Sequence, residues 1–167
     1  RNDRYLYVDK TKYLFQLVTG SRVYFLSRPR RFGKSLFLST LKAYFRGQKE
    51  LFTNLYIEKA EEEQAAQENR SAWQEYPVLY FDFNTGQYDT LGSLISRIEL
   101  FLSPLEKKYA ITSAQGDLAQ RLEEIIKQIY ETTHKQVVIL VDEYDKPLLQ
   151  TMGVNETLNE QYRNTLK

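Results

Sequence analysis

The stretch that decides the fold reads VYFLSRPRRFGKS and occupies residues 23–35. Its first four residues form an apolar run that predicts a buried β-strand, and the pattern after Ser35 predicts an amphipathic helix. Gly-Lys-Ser between a strand and a helix is the second half of the phosphate-binding motif G-x-x-x-x-G-K-[ST]. The stretch therefore indicates a nucleotide site; the alternative is an ordinary turn with a surface lysine.

Each residue of the Gly33-Lys34-Ser35 triplet suits phosphate for a physical reason. Gly33 lets the backbone curl so that N–H groups point inward, and the start of the helix adds positive potential. Lys34 can then reach the terminal phosphates, and the Ser35 hydroxyl can bind Mg²⁺. The motif is incomplete, because Arg28 stands where the first glycine is expected and Pro29 lacks an N–H.

Basic residues are concentrated in the same loop. Arg30 and Arg31 either face the phosphates or are solvated loop charges. Together with Arg22 and Arg28 they could also contact nucleic acid, but the whole chain has 23 Lys+Arg against 22 Asp+Glu. Because that balance leaves no extended basic stripe, nucleic acid is weakly supported as a partner.

A second apolar run, residues 137–141, is followed directly by Asp142 and Glu143. An acidic residue at the C-terminal end of a buried parallel strand faces the crevice where open α/β sheets bind ligands. Asp142 is therefore expected to hold Mg²⁺, and Glu143 to polarise the attacking water as general base. The alternative is that two acids end a strand at a polar loop. Because parallel strands share an edge, Lys34 and Asp142 are expected to converge on one crevice.

A third apolar run, residues 78–83, and the intervals between the runs complete the pattern. The intervals show helical periodicity, which together with three strands predicts an α/β domain with a mainly parallel sheet and helices on both faces. We expect Thr90 to cap one helix, Pro104 to follow its end, and Gly47 to lie just past another. The charged segment 58–70 has no apolar face and predicts an exposed helix or a mobile excursion, with an acidic partner-binding surface as the alternative.

Composition limits the classes of protein further. The 167 residues are enough for one domain, and an apolar fraction of 42% supports a packed core. Since the chain has no cysteine, disulfides and thiolate chemistry are excluded. No apolar run approaches the roughly 20 residues that span a bilayer, so the sequence predicts a cytoplasmic protein without a membrane partner.

Three segments resemble the bacterial AAA-ATPase-like family: YVDKT at residues 7–11, FLSRPRRFGKS at 25–35 and VDEYDKPLL at 141–149. The similarity extends over essentially the whole chain, and the family shares the Arg28-Pro29 departure. It implies a three-layer P-loop NTPase-type fold, with ATP and Mg²⁺ as cofactors. The triplet Gly33-Lys34-Ser35 then belongs to a Walker A motif and Asp142-Glu143 to a Walker B motif.

The resemblance also assigns roles to individual residues. It implies that Lys34 and Ser35 bind phosphate and Mg²⁺, that Lys34 assists catalysis, that Asp142 holds the metal and that Glu143 activates water. It places residues 7–11 near the adenine, although Asp9-Lys10-Thr11 alone also fits a helix N-cap.

The same resemblance implies that residues 1–167 are the N-terminal part of a single P-loop domain. Later strands and any C-terminal domain, often of the PD-(D/E)xK nuclease type, would then lie outside the chain. In additional-strand ATPases a later strand separates the phosphate-loop strand from the strand bearing the acidic pair. We therefore expect residues 23–26 either to lack that neighbour, which favours self-association, or to pair directly with residues 137–141. ATP binding by residues 1–167 alone is expected to be weak.

Two functions remain open at this point. The first is an ATP-binding, ATPase-like domain that hydrolyses or senses ATP to control a partner or a C-terminal effector. The second is a nucleotide-binding or protein-interaction module that does not hydrolyse ATP and whose phosphate loop is degenerate.

Overall fold

The computed structural model describes residues 7–27, 32–111 and 117–166. The predicted α/β class is confirmed, since helices accompany a small parallel sheet of two strands. The chain divides into two compact units, Arg1–Tyr76 and Pro77–Lys167. In the described part of the chain, no helix is both long enough and apolar enough to cross a membrane.

The described part of the first unit is helical. It contains α1 (Thr11–Val18), α2 (Lys34–Phe45), a 3-10 turn (Lys49–Phe52) and α3 (Tyr56–Gln67). Helix α1 packs on α3, and α3 contacts the 3-10 turn. The buried apolar side chains of this unit are Leu14, Phe37, Leu41, Tyr44, Phe52, Ile57 and Ala65.

Helix α2 ends at a glycine, as predicted. Gly47 has a left-handed φ of 67°, and its N–H donates to the Tyr44 carbonyl at 2.9 Å while the Gln48 N–H donates to Ala43 at 3.1 Å. This pair of bonds is the Schellman arrangement. A Cβ on Gly47 would lie 2.8 Å from the Trp73 carbonyl oxygen, so only glycine fits between this helix end and the 73–75 segment.

Residues 58–67 of the charged segment do form a helix, but the prediction that its face is solvated is wrong along one stripe. Glu61 is 1% exposed. Its carboxylate accepts bonds from the Tyr44 hydroxyl at 2.7 Å and from Arg70 Nη1 at 2.6 Å, and Oε1 also accepts from the Trp73 N–H at 3.2 Å. A carboxylate can be buried when donors surround it in this way. The hydrogen bond from Arg70 to Glu61 raises the pKa of Arg70.

The predicted strand over residues 23–26 is wrong. The backbone there is irregular, and the side chains of Val23 and Phe25 are 85% and 74% exposed. A β-strand needs a partner strand to bond with its backbone. The sheet of the described residues contains two strands, both from the second unit. Apolar composition alone therefore did not produce a strand here.

The second unit alternates strands and helices. It contains β1 (Val78–Asp82), α4 (Leu91–Lys108), α5 (Leu118–Thr133), β2 (Val138–Asp142), α6 (Lys146–Thr151) and α7 (Glu156–Thr165). The two strands pair in parallel, from Val78 opposite Val138 to Asp82 opposite Asp142. The predictions of strands at residues 78–83 and 137–141 and of their parallel pairing are thereby confirmed.

The core of the second unit joins the sheet to three helices. Its fully packed members are Leu79, Phe81, Phe83, Tyr88, Leu94, Leu102, Ile125, Ile129, Leu158 and Tyr162. Thr90 caps α4 as predicted, and a reciprocal bond from the Thr90 N–H to the Ser93 hydroxyl oxygen completes a capping box. The expected stop at Pro104 is wrong, because α4 continues to Lys108. Leu105 and Tyr109 pack against the core, and this packing favours the helix beyond the proline.

Candidate functional site

The Gly33-Lys34-Ser35 triplet lies at the start of α2, as a phosphate site requires. Gly33 is the N-cap residue and has a left-handed φ of 76°. The Phe37 N–H donates to the Gly33 carbonyl at 2.9 Å, and no side chain caps the helix. Among the described residues, no atom lies within 4 Å of a Cβ built on Gly33. The glycine is therefore required by its backbone conformation and not by a close neighbour in the described part of the chain.

A cavity of about 200 Å³ opens beside this helix start. Residues 7–10 and α1 form one side of it, and Gly33 and the first two turns of α2 form the other. Its lining residues are Tyr7, Val8, Lys10, Thr11, Leu14, Gly33, Leu36, Phe37 and Thr40. Most of these side chains are apolar or aromatic, which suits a flat organic ring.

Residues 7–10, which form one side of the cavity, are held in place by hydrogen bonds of Asp9 and Thr11. Asp9 Oδ1 accepts from the Thr11 N–H at 2.8 Å and from the Thr11 hydroxyl at 2.7 Å. Asp9 Oδ2 accepts from the Tyr56 N–H at 2.8 Å, and the Thr11 hydroxyl oxygen accepts from the Ile57 N–H at 3.1 Å. These two side chains thus satisfy N–H groups at the starts of both α1 and α3. The N-cap positions themselves, Lys10 and Leu55, supply no side-chain bond, so the cap expected at Asp9-Lys10-Thr11 comes from the residues on either side of Lys10.

Two predicted phosphate contacts, Arg30 and Arg31, lie outside the described residues. The same holds for Arg28 and Pro29, the departures from the phosphate-loop motif. The phosphate roles of Arg30 and Arg31 stay predictions from the sequence.

In the second unit, the carboxyl ends of the two strands carry acidic residues. Asp142 ends β2 and is 3% exposed, and Asp82 ends β1 directly opposite it. The Tyr80 hydroxyl lies 3.5 Å from Asp142 Oδ2. Burial and the charges of Asp142 and Asp82 raise the pKa of Tyr80 to about 12. Tyr80 is therefore a neutral hydrogen-bond donor beside Asp142 at physiological pH.

Glu143 follows with an unusual backbone. Its φ of 53° is left-handed, which costs a non-glycine residue roughly 1–2 kcal/mol. Its carbonyl accepts from the Lys146 N–H at 3.0 Å, closing a tight turn between β2 and α6. Strained non-glycine residues concentrate at functional sites. Asn54, Asn69, Trp73, Ala110 and His134 have a positive φ as well, so the general-base role of Glu143 stays a prediction from the sequence.

The loop that follows β1 is tied to both neighbouring elements. Arg97 Nε of α4 donates to the Asp82 carbonyl at 3.2 Å, and its Nη2 donates to Thr85 Oγ1 at 2.6 Å. Lys146 Nζ donates to the Asn84 carbonyl. Lys146 thus connects the loop after β1 to the start of α6.

The predicted Mg²⁺ ligands, Ser35 and Asp142, are oxygen donors, but within the described part of the chain they are not part of a cluster of metal-binding side chains. Among residues 7–27, 32–111 and 117–166, no group of three or more His, Cys, Asp or Glu side chains could hold an ion. The hydroxyl of Ser35 and the carboxylate of Asp142 are oxygen ligands of the kind that Mg²⁺ prefers. Mg²⁺ commonly takes only one or two carboxylates, with water and substrate phosphates completing its shell. The predicted donor set fits that chemistry.

The predicted site residues fall into two groups. Gly33, Lys34 and Ser35 belong to the first unit, and Asp142 and Glu143 to the second. Convergence of the two groups on one crevice stays a prediction. Asp82 was missed, although an acid inside the apolar run at residues 78–83 was a signal that a strand ended there.

Comparison with known proteins identifies the family of the chain. The model of the AAA-ATPase-like family, described as a predicted AAA-ATPase, matches residues 1–167. A curated relative from Azotobacter chroococcum mcd 1, an uncharacterized protein in the vnfD 5' region, is 38% identical over 159 residues. The match covers 95% of this chain and 29% of the relative's length. No solved structure matches. The match over the whole chain shows that the protein belongs to the AAA-ATPase-like family.

Proposed function

We propose that the chain is the ATP-binding part of a P-loop ATPase-like domain that hydrolyses or senses ATP. The observation that carries the proposal is the cavity beside Gly33, because it adjoins the helix start that bears Lys34 and Ser35. Membership of a predicted AAA-ATPase family supports it independently. A phosphate-binding residue and a space for an organic ring are the two requirements for a nucleotide.

The phosphates would lie at the start of α2. The left-handed Gly33 allows the backbone to turn towards them, and the helix N-terminus favours an anion. Lys34 supplies a compact positive charge for the terminal phosphates and for the charge that develops during their transfer. Arg30 and Arg31 would add positive charge from the preceding loop.

The base would occupy the cavity. Tyr7, Val8 and Lys10 form one side, and Leu36 and Phe37 the other. This arrangement supports the expectation that residues 7–11 lie near the adenine. A flat ring between apolar side chains gains affinity mainly by leaving water.

Mg²⁺ would be held by Ser35 and Asp142, and it would supply charge neutralisation for the phosphates. Glu143 would polarise the attacking water. Tyr80, held protonated, would orient the Asp142 carboxylate through the contact of its hydroxyl. These roles require the two units to bring their groups together at the edge of a three-layer sheet, which is part of the proposal.

The last part of the proposal is that ATP controls a partner or an effector domain. Since the chain spans 29% of the length of the relative that it matches, an effector domain, of the nuclease type or another, would have room in a protein of that length. ATP binding would change that domain or a protein partner.

A binding module that does not hydrolyse ATP is the second candidate. It is favoured by Arg28 and Pro29, which replace the first glycine of the motif and remove one backbone donor. Calorimetric titration of the intact protein with Mg²⁺-ATP, followed by a phosphate-release assay, separates the two candidates. Hydrolysis predicts release that Glu143→Gln abolishes while binding persists. Binding without release in the wild type excludes hydrolysis and leaves an ATP sensor or a non-hydrolysing binding module, and absence of binding rejects every role that depends on ATP.

A further inference from the structure

Asp9 and Thr11 form one polar link between three parts of the first unit. Their side chains accept the first N–H of α1 and the first two N–H groups of α3, over sequence separations of 46 and 47 residues. Thr11 is 1% exposed, so its hydroxyl has both of its bonds, to Asp9 and from Ile57, in a place where water cannot replace them. We call this arrangement the Asp9–Thr11 clamp.

The clamp lies inside the segment that forms one side of the cavity. Tyr7, Val8 and Lys10 precede or separate the two clamp residues, and all three line the cavity. Asp9 itself is not a lining residue. Its bond to the Tyr56 N–H holds the neighbouring backbone at the start of α3.

We propose that Asp9 is a positioning residue for the nucleotide base, acting through the 7–10 segment and without touching the phosphates. The inference rests on the proposed function, since it names the part of the ligand that this segment recognises. The Asp9–Thr11 clamp holds the segment in place before the ligand arrives. Because the wall is already formed, binding spends less free energy on ordering it. This gain in affinity is available only to ligands that contact the wall.

The proposal separates two contributions to affinity. Gly33, Lys34 and Ser35 bind the phosphate chain and remain in place when Asp9 is changed. The cavity wall binds the base and depends on the clamp. The ratio of the dissociation constants of inorganic tripolyphosphate and ATP, each with Mg²⁺, therefore reports the contribution of the adenosine group, and a change in that ratio between variants reports the wall.

The experiment measures both constants by calorimetric titration of the intact protein. The wild type is expected to bind ATP at least about tenfold more tightly than tripolyphosphate, and Asp9→Ala to reduce that ratio by about tenfold, or about 1.4 kcal/mol. Tripolyphosphate affinity should change less than about twofold, because its binding residues are intact. Thr11→Val should reduce the ratio as well, whereas Thr11→Ser, which keeps the hydroxyl, should preserve it.

Asp117→Ala is the matched control. Asp117 caps α5 in the second unit, accepting from the Gln120 N–H at 2.9 Å. Its loss should lower the melting temperature and leave the ratio unchanged. If Asp9→Ala does not fold, Asp9→Asn, which keeps one acceptor oxygen, takes its place; the Thr11 pair supports the conclusion but does not replace this variant, because Thr11 itself lines the cavity.

The outcomes separate the two proposals. A ratio that is unchanged in the clamp variants, or equal losses for both ligands, overturns the positioning role and leaves ATP binding intact. A wild type that binds ATP and tripolyphosphate equally also overturns it. A wild type that binds neither ligand rejects the proposed function, and the positioning role with it.

Discussion

Residues 23–26 and strand β2 are both short apolar segments that lead into predicted site residues. The first reads VYFL and precedes the Gly33 loop; the second reads VILVD and ends in Asp142. In the structure, Val23 is 85% exposed and its backbone is irregular, whereas Leu140 of β2 is 8% exposed and lies in a parallel ladder.

The difference lies in the neighbours that each segment has. β2 pairs with β1 along its whole length, and the ladder is extended by bonds from Val138 N–H to Pro77 at 2.9 Å and from Phe83 N–H to Asp142 at 3.0 Å. Residues 23–26 join no ladder in the described sheet. An apolar run becomes a strand only where another strand satisfies its backbone, and an exposed one is a template for pairing with a further strand.

The two units are accordingly stabilised in different ways. The second relies on a parallel sheet with an apolar core on one face, while Ile139 and Val141 of β2 are 42% and 40% exposed. In the first, Tyr44 of α2 donates to the buried Glu61 carboxylate of α3. The Trp73 ring contacts Tyr44 and Phe52, whose centroids are 5.8 Å and 5.2 Å away. Substitutions in each unit can test this contrast.

The largest effect is expected at Glu61. Glu61→Ala removes the acceptor of Tyr44, Arg70 and the Trp73 N–H, and it leaves buried donors unsatisfied. We expect a loss of about 3–5 kcal/mol in the free energy of unfolding, measured by urea titration. Glu62→Ala, which removes an exposed pair with Lys49, should have a much smaller effect, because exposed ion pairs contribute little to stability. Equal small losses would show that the first unit does not depend on the buried carboxylate.

A second pair of variants tests the contrast between the two apolar segments. Leu79→Ala, at a β1 position that is 3% exposed, should cost about 3 kcal/mol, because it opens a cavity in the core. Val23→Ala should change the free energy of unfolding by less than about 0.5 kcal/mol, since its side chain is in solvent. Surface substitutions change the free energy of unfolding by about 0.5 kcal/mol at most. A loss of more than about 1 kcal/mol for Val23→Ala, clearly above that range, would mean that residues 23–26 are packed in the protein in solution.

The smallest effect concerns the carboxyl ends of the paired strands. Burial, Asp142 and Asp82 raise the pKa of Tyr80 to about 12, against about 10 in an unfolded chain. The folded protein therefore keeps a proton that the unfolded chain loses, so this contribution to stability is present below about pH 10 and disappears as the pH rises towards 12. The difference in phenolate absorbance between the wild type and Tyr80→Phe isolates this titration.

Asp142→Asn should lower the pKa of Tyr80 only in part, because burial is the larger cause. An ordinary pKa of about 10 for Tyr80 in the wild type would contradict the shared environment at the ends of β1 and β2.

Features governed by near neighbours in the chain could be predicted from the sequence. The strands of the second unit follow from apolar runs, the Thr90 cap from its position before a helical stripe, and the Gly47 stop from its place after one. The Gly33 helix start was predictable for the same reason, because the motif and the following periodicity lie within one stretch.

Features that depend on distant residues could not be predicted. Burial of Glu61 needs Tyr44, and the clamp needs Tyr56 and Ile57, which follow Asp9 by 47 residues or more. Helix α4 passes Pro104 because its last turns pack on the core. The failure at residues 23–26 has the same origin, since a strand depends on a partner that its own sequence does not specify.

Isothermal titration of the intact protein with Mg²⁺-ATP tests whether the start of α2 is the phosphate site. The wild type should bind, and Lys34→Ala should weaken binding at least about tenfold, because it removes a charge-assisted bond to phosphate. Lys59→Ala, which removes an exposed lysine of the same unit, should leave the dissociation constant unchanged. Equal affinity of the wild type and Lys34→Ala for Mg²⁺-ATP would contradict the assignment of Gly33, Lys34 and Ser35 as the phosphate-binding residues.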